Sequence, residues 1–262
     1  YLKQQLSENS IVYSSFNMTA GKKYFETGLL QGNLAAEAIN NGGDFAFVKY
    51  YQKDKQHHVI FRLYDNFNVN FLDYVVDTVQ GKLMIKDGFM FNTGTLLSKN
   101  LEYGMLYNLL LQTNPEGDVK YLRQAQAMTE SNQNAKALQL LDANKDKLKQ
   151  YPLFWQLYIA NLYKTNPKNF ISKLDALKQD GLDERYLLLH KLLYNFNNGN
   201  VAETEATINQ LIPYSGDDPI FLLLYGKANV YAHQYKKALE CLKTADQAMP
   251  LLWDLWYAEL QC

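Results

Sequence analysis

The spacing of hydrophobic positions changes near residue 115, and this change divides the chain into two predicted parts. Before it, an amphipathic stretch is followed by segments rich in β-branched and aromatic residues, which are typical of strands. After it, helical segments alternate with tight turns. The turn cluster Asn114-Pro115-Glu116-Gly117 marks the change. We therefore predict an α+β fold, with an α+β domain over residues 1–114 and an all-α helical array over residues 115–262.

The first part is predicted to be a sheet covered by a helix. Apolar residues recur every three or four positions up to Ile39, which predicts a helix over residues 19–40. The strand-like segments cover residues 44–92, and their short polar connections favour a four-stranded antiparallel meander. A second helix is predicted over residues 96–111, and we expect one helix to cover one face of the sheet. The side chains expected beneath that helix are Phe45, Phe47, Val59, Phe61, Phe71 and Val75.

The second part contains a repeated pattern. Residues 219–250 resemble a tetratricopeptide repeat (TPR), a pair of short antiparallel helices. The resemblance is carried by Leu222, Tyr225, Gly226, Tyr235, Ala238, Ala245 and Pro250. Gly226 and Ala238 are small where the two helices are expected to cross. Counting backwards predicts units near 118–151, 152–184, 185–218 and 219–252, with a terminal helix over 253–262. The bulky position of each unit is then Tyr121, Trp155, Leu188, Leu222 and Trp256.

The N-terminal half has a resemblance of its own. A helical pattern with Gly28, Leu30, Gly32 and Leu34 precedes the segments HVIFRLY, NFLDYVV and KLMIKDGFMFNTGTLLS. This order, over roughly residues 18–105, is similar to an uncharacterised bacterial protein group in which a small α+β domain precedes TPR helices. The resemblance implies a two-part design without a known activity, and it implies that many members are exported.

The charge balance narrows the classes of partner. Lys and Arg number 26 against 27 Asp and Glu, a formal net charge of -1, which disfavours a nucleic-acid groove or a polybasic membrane patch. No apolar run approaches the roughly 18 residues that span a bilayer, so no transmembrane segment is predicted. We expect a periplasmic or exported protein if a signal peptide has been removed, and a cytoplasmic protein otherwise.

Catalytic, metal-binding and cofactor-binding patterns are not found in the sequence. The four His residues and two Cys residues match no hydrolase or zinc spacing, and no glycine-rich phosphate loop is present. Asp73 and Asp77 lie four residues apart on one predicted strand, about 13 Å between Cα atoms, which is too far for joint acid–base chemistry. We expect both carboxylates to be solvated. The sequence therefore favours a protein without a catalytic site, a metal or a cofactor.

The leading functional hypothesis is a non-enzymatic scaffold that binds a protein or peptide on the concave face of the helical array. The first helix of each repeat lines that face in arrays of this kind. The candidate residues on these helices are Gln126, Glu130, Gln156, Tyr163, Lys164, Asn197, Lys227 and Tyr231. The pattern identifies neither the partner nor the oligomeric state.

Two alternatives remain open. The sheet could enclose a small-ligand-binding or catalytic pocket, because curved sheets with a covering helix often hold ligands. The residues that would line it are Tyr50, Arg62, Tyr64, Asp73 and Tyr74. Alternatively, the chain could be a structural subunit of an envelope assembly, docked through Trp253 and Trp256.

Gly104 is a local anomaly in the predicted helix over residues 96–111. A glycine inside a helix costs about 1 kcal/mol relative to alanine. Two explanations stay open for Gly104, as for Gly28 or Gly32 in the first predicted helix: either the helix crosses the sheet closely there, or it borders a groove for an incoming chain.

Overall fold

The computed structural model describes residues 36, 38–66, 68–250 and 252–262, without the side chain of Trp253. In these residues an antiparallel sheet is followed by a succession of helices, which confirms the predicted α+β class. The predicted helix 19–40 lies outside the described residues except for helical residues at 36 and 38–40.

The sheet is a meander, as the short connections predict. Its strands are β1 (Asp44–Lys53), β2 (Gln56–Asp65), β3 (Asn68–Val79) and β4 (Lys82–Met90). Each pairs antiparallel with the next, and a two-residue strand, β5 (Thr95–Leu96), makes a fifth next to β4. The predicted sheet lacked β5, because two residues carry no readable alternation. Gln80 and Gly81 adopt positive φ in the turn between β3 and β4.

The helices follow in pairs joined by short turns. Their bounds are α1 (Leu97–Thr113), α2 (Val119–Glu130), α3 (Asn134–Ala143), α4 (Lys145–Leu148), α5 (Pro152–Thr165), α6 (Phe170–Ala176), α7 (Glu184–Asn197), α8 (Val201–Ser215), α9 (Ile220–Tyr231), α10 (Tyr235–Ala248) and α11 (Trp253–Glu259). Short 3₁₀ turns flank α6, at Pro167–Asn169 and Leu177–Asp180. The helix predicted over 96–111 corresponds to α1.

Contacts group the described residues into two units. The first contains residues 95–174, and the second contains residues 38–94 together with 175–262. The domain boundary predicted near residue 115 falls between α1 and α2, inside the first unit. It stays a prediction.

One face of the sheet packs on helices of the second unit. Phe71 of β3 is fully buried, and its ring centroid lies 5.6 Å from that of Phe221 of α9. Strand register places Phe71 and Val75 on this face, opposite to Phe45 and Phe61, which stack 5.0 Å apart. The expectation that all six predicted side chains share one face is therefore wrong. Phe47 is also not buried, since it is 59% exposed.

The helix pairs pack closely at small residues. A Cβ added to Gly226 of α9 would come within 2.8 Å of the Leu242 side chain of α10. Ala238 is fully buried at the same crossing. In addition, a buried asparagine recurs at intervals of 34 residues, as Asn161, Asn195 and Asn229. The helical pairing and this spacing agree with the predicted repeat length, and the TPR assignment itself stays a prediction.

Candidate binding groove

A groove of about 140 Å³ opens between α1 and the start of α5 in the first unit. We call it the tyrosine groove. It is lined by Asn100, Tyr103, Gly104, Tyr107, Tyr151, Pro152, Leu153 and Gln156. The four α1 residues are spaced at i, i+3, i+4 and i+7, which places them on one face of the helix. A single helical stripe therefore forms one wall, and the first turn of α5 forms the other.

The start of α5 is held in a fixed geometry. Pro152 is the first helical residue, where its missing N–H costs nothing and its φ suits a helix. The Trp155 indole N–H donates to the carbonyl of Lys149 at 2.8 Å, which ties the first turn to the preceding loop. Tyr151 is thereby held against Tyr103, with ring centroids 5.9 Å apart and ring planes at 71°.

Gly104 distinguishes the two explanations that the sequence left open. A Cβ built on it would meet no heavy atom of the described residues within 4 Å. No described element crosses close to this glycine, so close packing among the described residues does not account for it. Gly104 instead lines the tyrosine groove, where the missing side chain enlarges the open space.

The groove has an uncharged lining of aromatic rings and amides. Burial raises the pKa of Tyr107 and of Tyr151, so both hydroxyls are protonated at neutral pH and can donate hydrogen bonds. Beside the groove, Lys99 pairs with Glu102 at 2.9 Å, and its ammonium lies 5.9 Å from the ring centroid of Tyr103. The charges nearest to Tyr103 are therefore already paired.

Of the partner-binding residues predicted in the first unit, Gln156 lines the tyrosine groove. The others make local contacts. Gln126 donates to Glu130 at 3.0 Å on α2. The ring of Tyr163 packs edge-on against Phe170 at 5.5 Å, and the ammonium of Lys164 lies 5.8 Å from the Tyr163 ring centroid.

The candidates in the second unit differ in accessibility. Asn197 is exposed and donates to the carbonyl of Leu193 at 2.7 Å. Tyr231 is 43% exposed, and Trp256 is 49% exposed and donates to Asp246 at 3.3 Å. The role predicted for Trp253 rests on a side chain outside the described residues.

Lys227 is buried, which the sequence did not indicate. It is only 3% exposed, and its ammonium lies 5.6 Å from the ring centroid of Tyr231. Burial lowers the pKa of Lys227 to about 8, against the opposing effect of Asp254. In this arrangement a partner would not reach Lys227.

The residues predicted to line a pocket in the sheet lie on two different faces. Arg62, Tyr64 and Asp73 face the helices of the second unit, whereas register places Tyr50 and Tyr74 on the opposite face. Tyr50 is 57% exposed and bonds His57 at 2.6 Å, whereas Tyr74 is buried, which raises its pKa to about 12. The five residues do not surround one cavity.

Three polar contacts join the sheet to the starts of three alternate helices. Asp73 accepts from Arg185 of α7 at 3.4 Å, Arg62 donates to Asp218 just before α9, and Tyr64 donates to Asp254 of α11 at 2.7 Å. We call these contacts the sheet–helix bridges. Sequence reasoning missed Arg185, Asp218 and Asp254, although each lies within one residue of a predicted repeat start. Their shared position near the repeat starts is the sequence signal that could have identified them.

The bridge residues are surrounded by partners. Asp73 is 5% exposed, so the expectation that it is solvated is wrong. Besides Arg185, it accepts from Tyr51 at 2.6 Å and bonds His58 at 2.9 Å. The Arg185 guanidinium also lies 3.4 Å from the ring centroid of Phe89. The carboxylate is thus enclosed by protein donors, an arrangement that stabilises the sheet on the helices.

The second bridge is also a paired site. Arg62 is 3% exposed and donates to both Asp218 and Asp44. Burial raises the pKa of Asp218, and the charge of Arg62 acts in the opposite direction. Asp218 also accepts the backbone N–H of Ile220 at 2.8 Å, at the start of α9. Each member of this cluster therefore has a structural role.

Comparisons with protein-family models, with curated proteins and with solved structures find no match. Within the part of the chain that the structure describes, no helix has the length and apolar character needed to cross a membrane. The described His, Cys, Asp and Glu side chains form no group of three or more able to hold a metal ion.

Proposed function

We propose that this protein is a non-enzymatic scaffold that binds a protein or peptide partner, and that the tyrosine groove is its binding site. The observation that carries the proposal is the open space at Gly104. A helix-interior glycine costs about 1 kcal/mol relative to alanine, and no described neighbour requires it. Space for a bound chain would account for it.

The composition of the groove supports peptide binding. Tyr103, Tyr107 and Tyr151 offer large, stiff rings, which cover a partner at low entropic cost. Gln156 adds an amide group, which can bond the backbone of an extended peptide. The predicted helical array supports the same function, because stacked helix pairs commonly present surfaces of this kind.

The polar clusters favour a scaffold over an enzyme. A general acid or base needs a lone pair or proton directed at a substrate. Asp73 is instead enclosed by Tyr51, His58 and Arg185. The alternative of a pocket in the sheet is weakened because its five predicted lining residues lie on two opposite faces.

A peptide-display selection tests the proposal. Random twelve-residue peptides would be selected on the full chain after depletion on the Gly104→Leu variant, in which leucine fills the groove. We expect enriched peptides with micromolar affinity, and binding should protect α1 and the start of α5 from hydrogen exchange. The proposal fails if no peptide is enriched, or if binding protects other regions only.

A further inference from the structure

The size of the tyrosine groove limits what it can hold. Its volume is about 140 Å³, and an apolar cavity of about 150 Å³ accommodates benzene. One six-membered ring is therefore close to the groove in volume.

The geometry of the lining suits an aromatic ring. Tyr103 and Tyr151 already meet edge to face, at 5.9 Å and 71°. Aromatic rings prefer such edge-to-face or offset contacts, because the positive ring edge meets a negative face. A third ring can enter beside Gly104 and continue the arrangement towards Tyr107, whose position on α1 is four residues beyond Tyr103.

The uncharged lining disfavours ionic ligands, because a buried carboxylate or phosphate would find no cation within the lining itself. Arg123 lies beside the groove, where its charge opposes the rise in the pKa of Tyr107. An aromatic cage could in principle hold an ammonium group. However, the Lys99 ammonium already lies 5.9 Å from the Tyr103 ring centroid, so this ring already has a cation beside it.

We propose that the tyrosine groove binds one uncharged aromatic ring, the side chain of a phenylalanine or tyrosine in a partner peptide. This inference rests on the proposed function and names the group that anchors the partner. The amide of Gln156 lies on the same lining and can bond the hydroxyl of a tyrosine anchor or the backbone beside the ring.

The test uses 4-fluorophenol as the probe, observed by ¹⁹F NMR with the full chain. We expect its resonance to broaden with a dissociation constant of roughly 1 mM, as is usual for so small a ligand. Benzyl alcohol should displace the probe, whereas tetramethylammonium and N-acetylproline amide should not. Displacement by either of the last two at equal concentration would overturn the proposed ligand class.

Variants of groove residues show where 4-fluorophenol binds. Gly104→Leu should weaken the affinity for 4-fluorophenol about tenfold or more, because the leucine occupies the position of the ring. Gln112→Leu, on an exposed position of the same helix, is the matched control and should bind as wild type does. Tyr103→Leu removes one ring without filling the groove and should weaken binding about threefold or more. Equal binding by wild type and both groove variants would overturn the inference.

The outcomes separate the two proposals. If selected peptides bind and are sensitive to Gly104→Leu while 4-fluorophenol does not bind, the aromatic anchor is wrong and the scaffold function stands. If neither the peptides nor the probe bind, both proposals fail.

Discussion

Arg62 offers the sharpest test of how the sheet is held on the helices. Its guanidinium is 3% exposed and pairs with Asp218, which is also 3% exposed, and with the partly buried Asp44. Removing one member of a buried ion pair typically costs about 3–5 kcal/mol, because the remaining charge stays buried without its partner. We predict a loss of this size in the free energy of unfolding for Arg62→Met, which retains most of the apolar stem.

Urea unfolding at pH 7 measures the loss, and hydrogen exchange of residues 219–231 reports on the second unit directly. The double variant Arg62→Met with Asp218→Asn should recover at least half of the lost stability, because the asparagine is uncharged and can still accept from Ile220. Lys86→Met is the control. It breaks the exposed pair with Asp77 and should cost about 0.5 kcal/mol or less.

The pH dependence gives a second signature of the same site. Burial raises the pKa of Asp218 while Arg62 opposes the rise, so the pKa should rise further in Arg62→Met. A carboxyl whose folded pKa exceeds its unfolded value favours folding at low pH, and this contribution is lost as pH rises through the folded pKa. The defect should therefore be smaller at pH 5 than at pH 7. A defect below about 1 kcal/mol, or one that grows on acidification, would refute the reasoning.

Three further predictions concern single side chains. Gly104→Ala should raise the free energy of unfolding by about 0.5–1 kcal/mol, since its Cβ meets open space; a lower melting temperature would contradict this. Burial lowers the pKa of His190 to about 4, so wild type should lose up to about 3 kcal/mol as pH falls from 6.5 towards 4. Thermal melts across that range should show a smaller loss for His190→Phe. Burial lowers the pKa of Lys227 to about 8. Its ammonium is therefore less stable in the folded than in the unfolded chain, and this loss of folding stability is absent above the unfolded pKa of 10.5 and grows as pH falls. Lys227→Met should therefore gain about 1–3 kcal/mol at pH 7 in urea unfolding and bind selected peptides unchanged.

Local features of the fold could be predicted from the sequence. The predicted strand region, residues 44–92, contains β1 to β4, because its β-branched and aromatic segments are separated by polar turns. The antiparallel meander followed from the short connections between strands. The tight crossing at Gly226 also followed, because a small residue between two helical stretches indicates close approach.

The helices that cover one face of the sheet could not be predicted from local periodicity. Phe71 and Asp73 share a face with Arg62, and all three contact or pair with residues more than 100 positions later. Hydrophobic alternation identifies a buried face but not the element that covers it. Asp73 on that face was therefore expected to be solvated, whereas Tyr51, His58 and Arg185 enclose it.

The tyrosine groove was only partly visible in the sequence. Gly104 was a local signal, because an interior glycine weakens a helix. Gln156 was predicted from its repeat position. Tyr103 and Tyr151 were not predicted as site residues, because only the packing of α1 beside α5 brings them to one surface.

The central claim is that a partner binds in the tyrosine groove. Isothermal titration of one selected peptide into wild type, Gly104→Leu and Gln112→Leu tests it most directly, once circular dichroism has shown that all three are folded. We predict that Gly104→Leu weakens the affinity about tenfold or more, which corresponds to about 1.4 kcal/mol, while Gln112→Leu stays within about twofold of wild type. Equal affinities for all three chains would contradict the account.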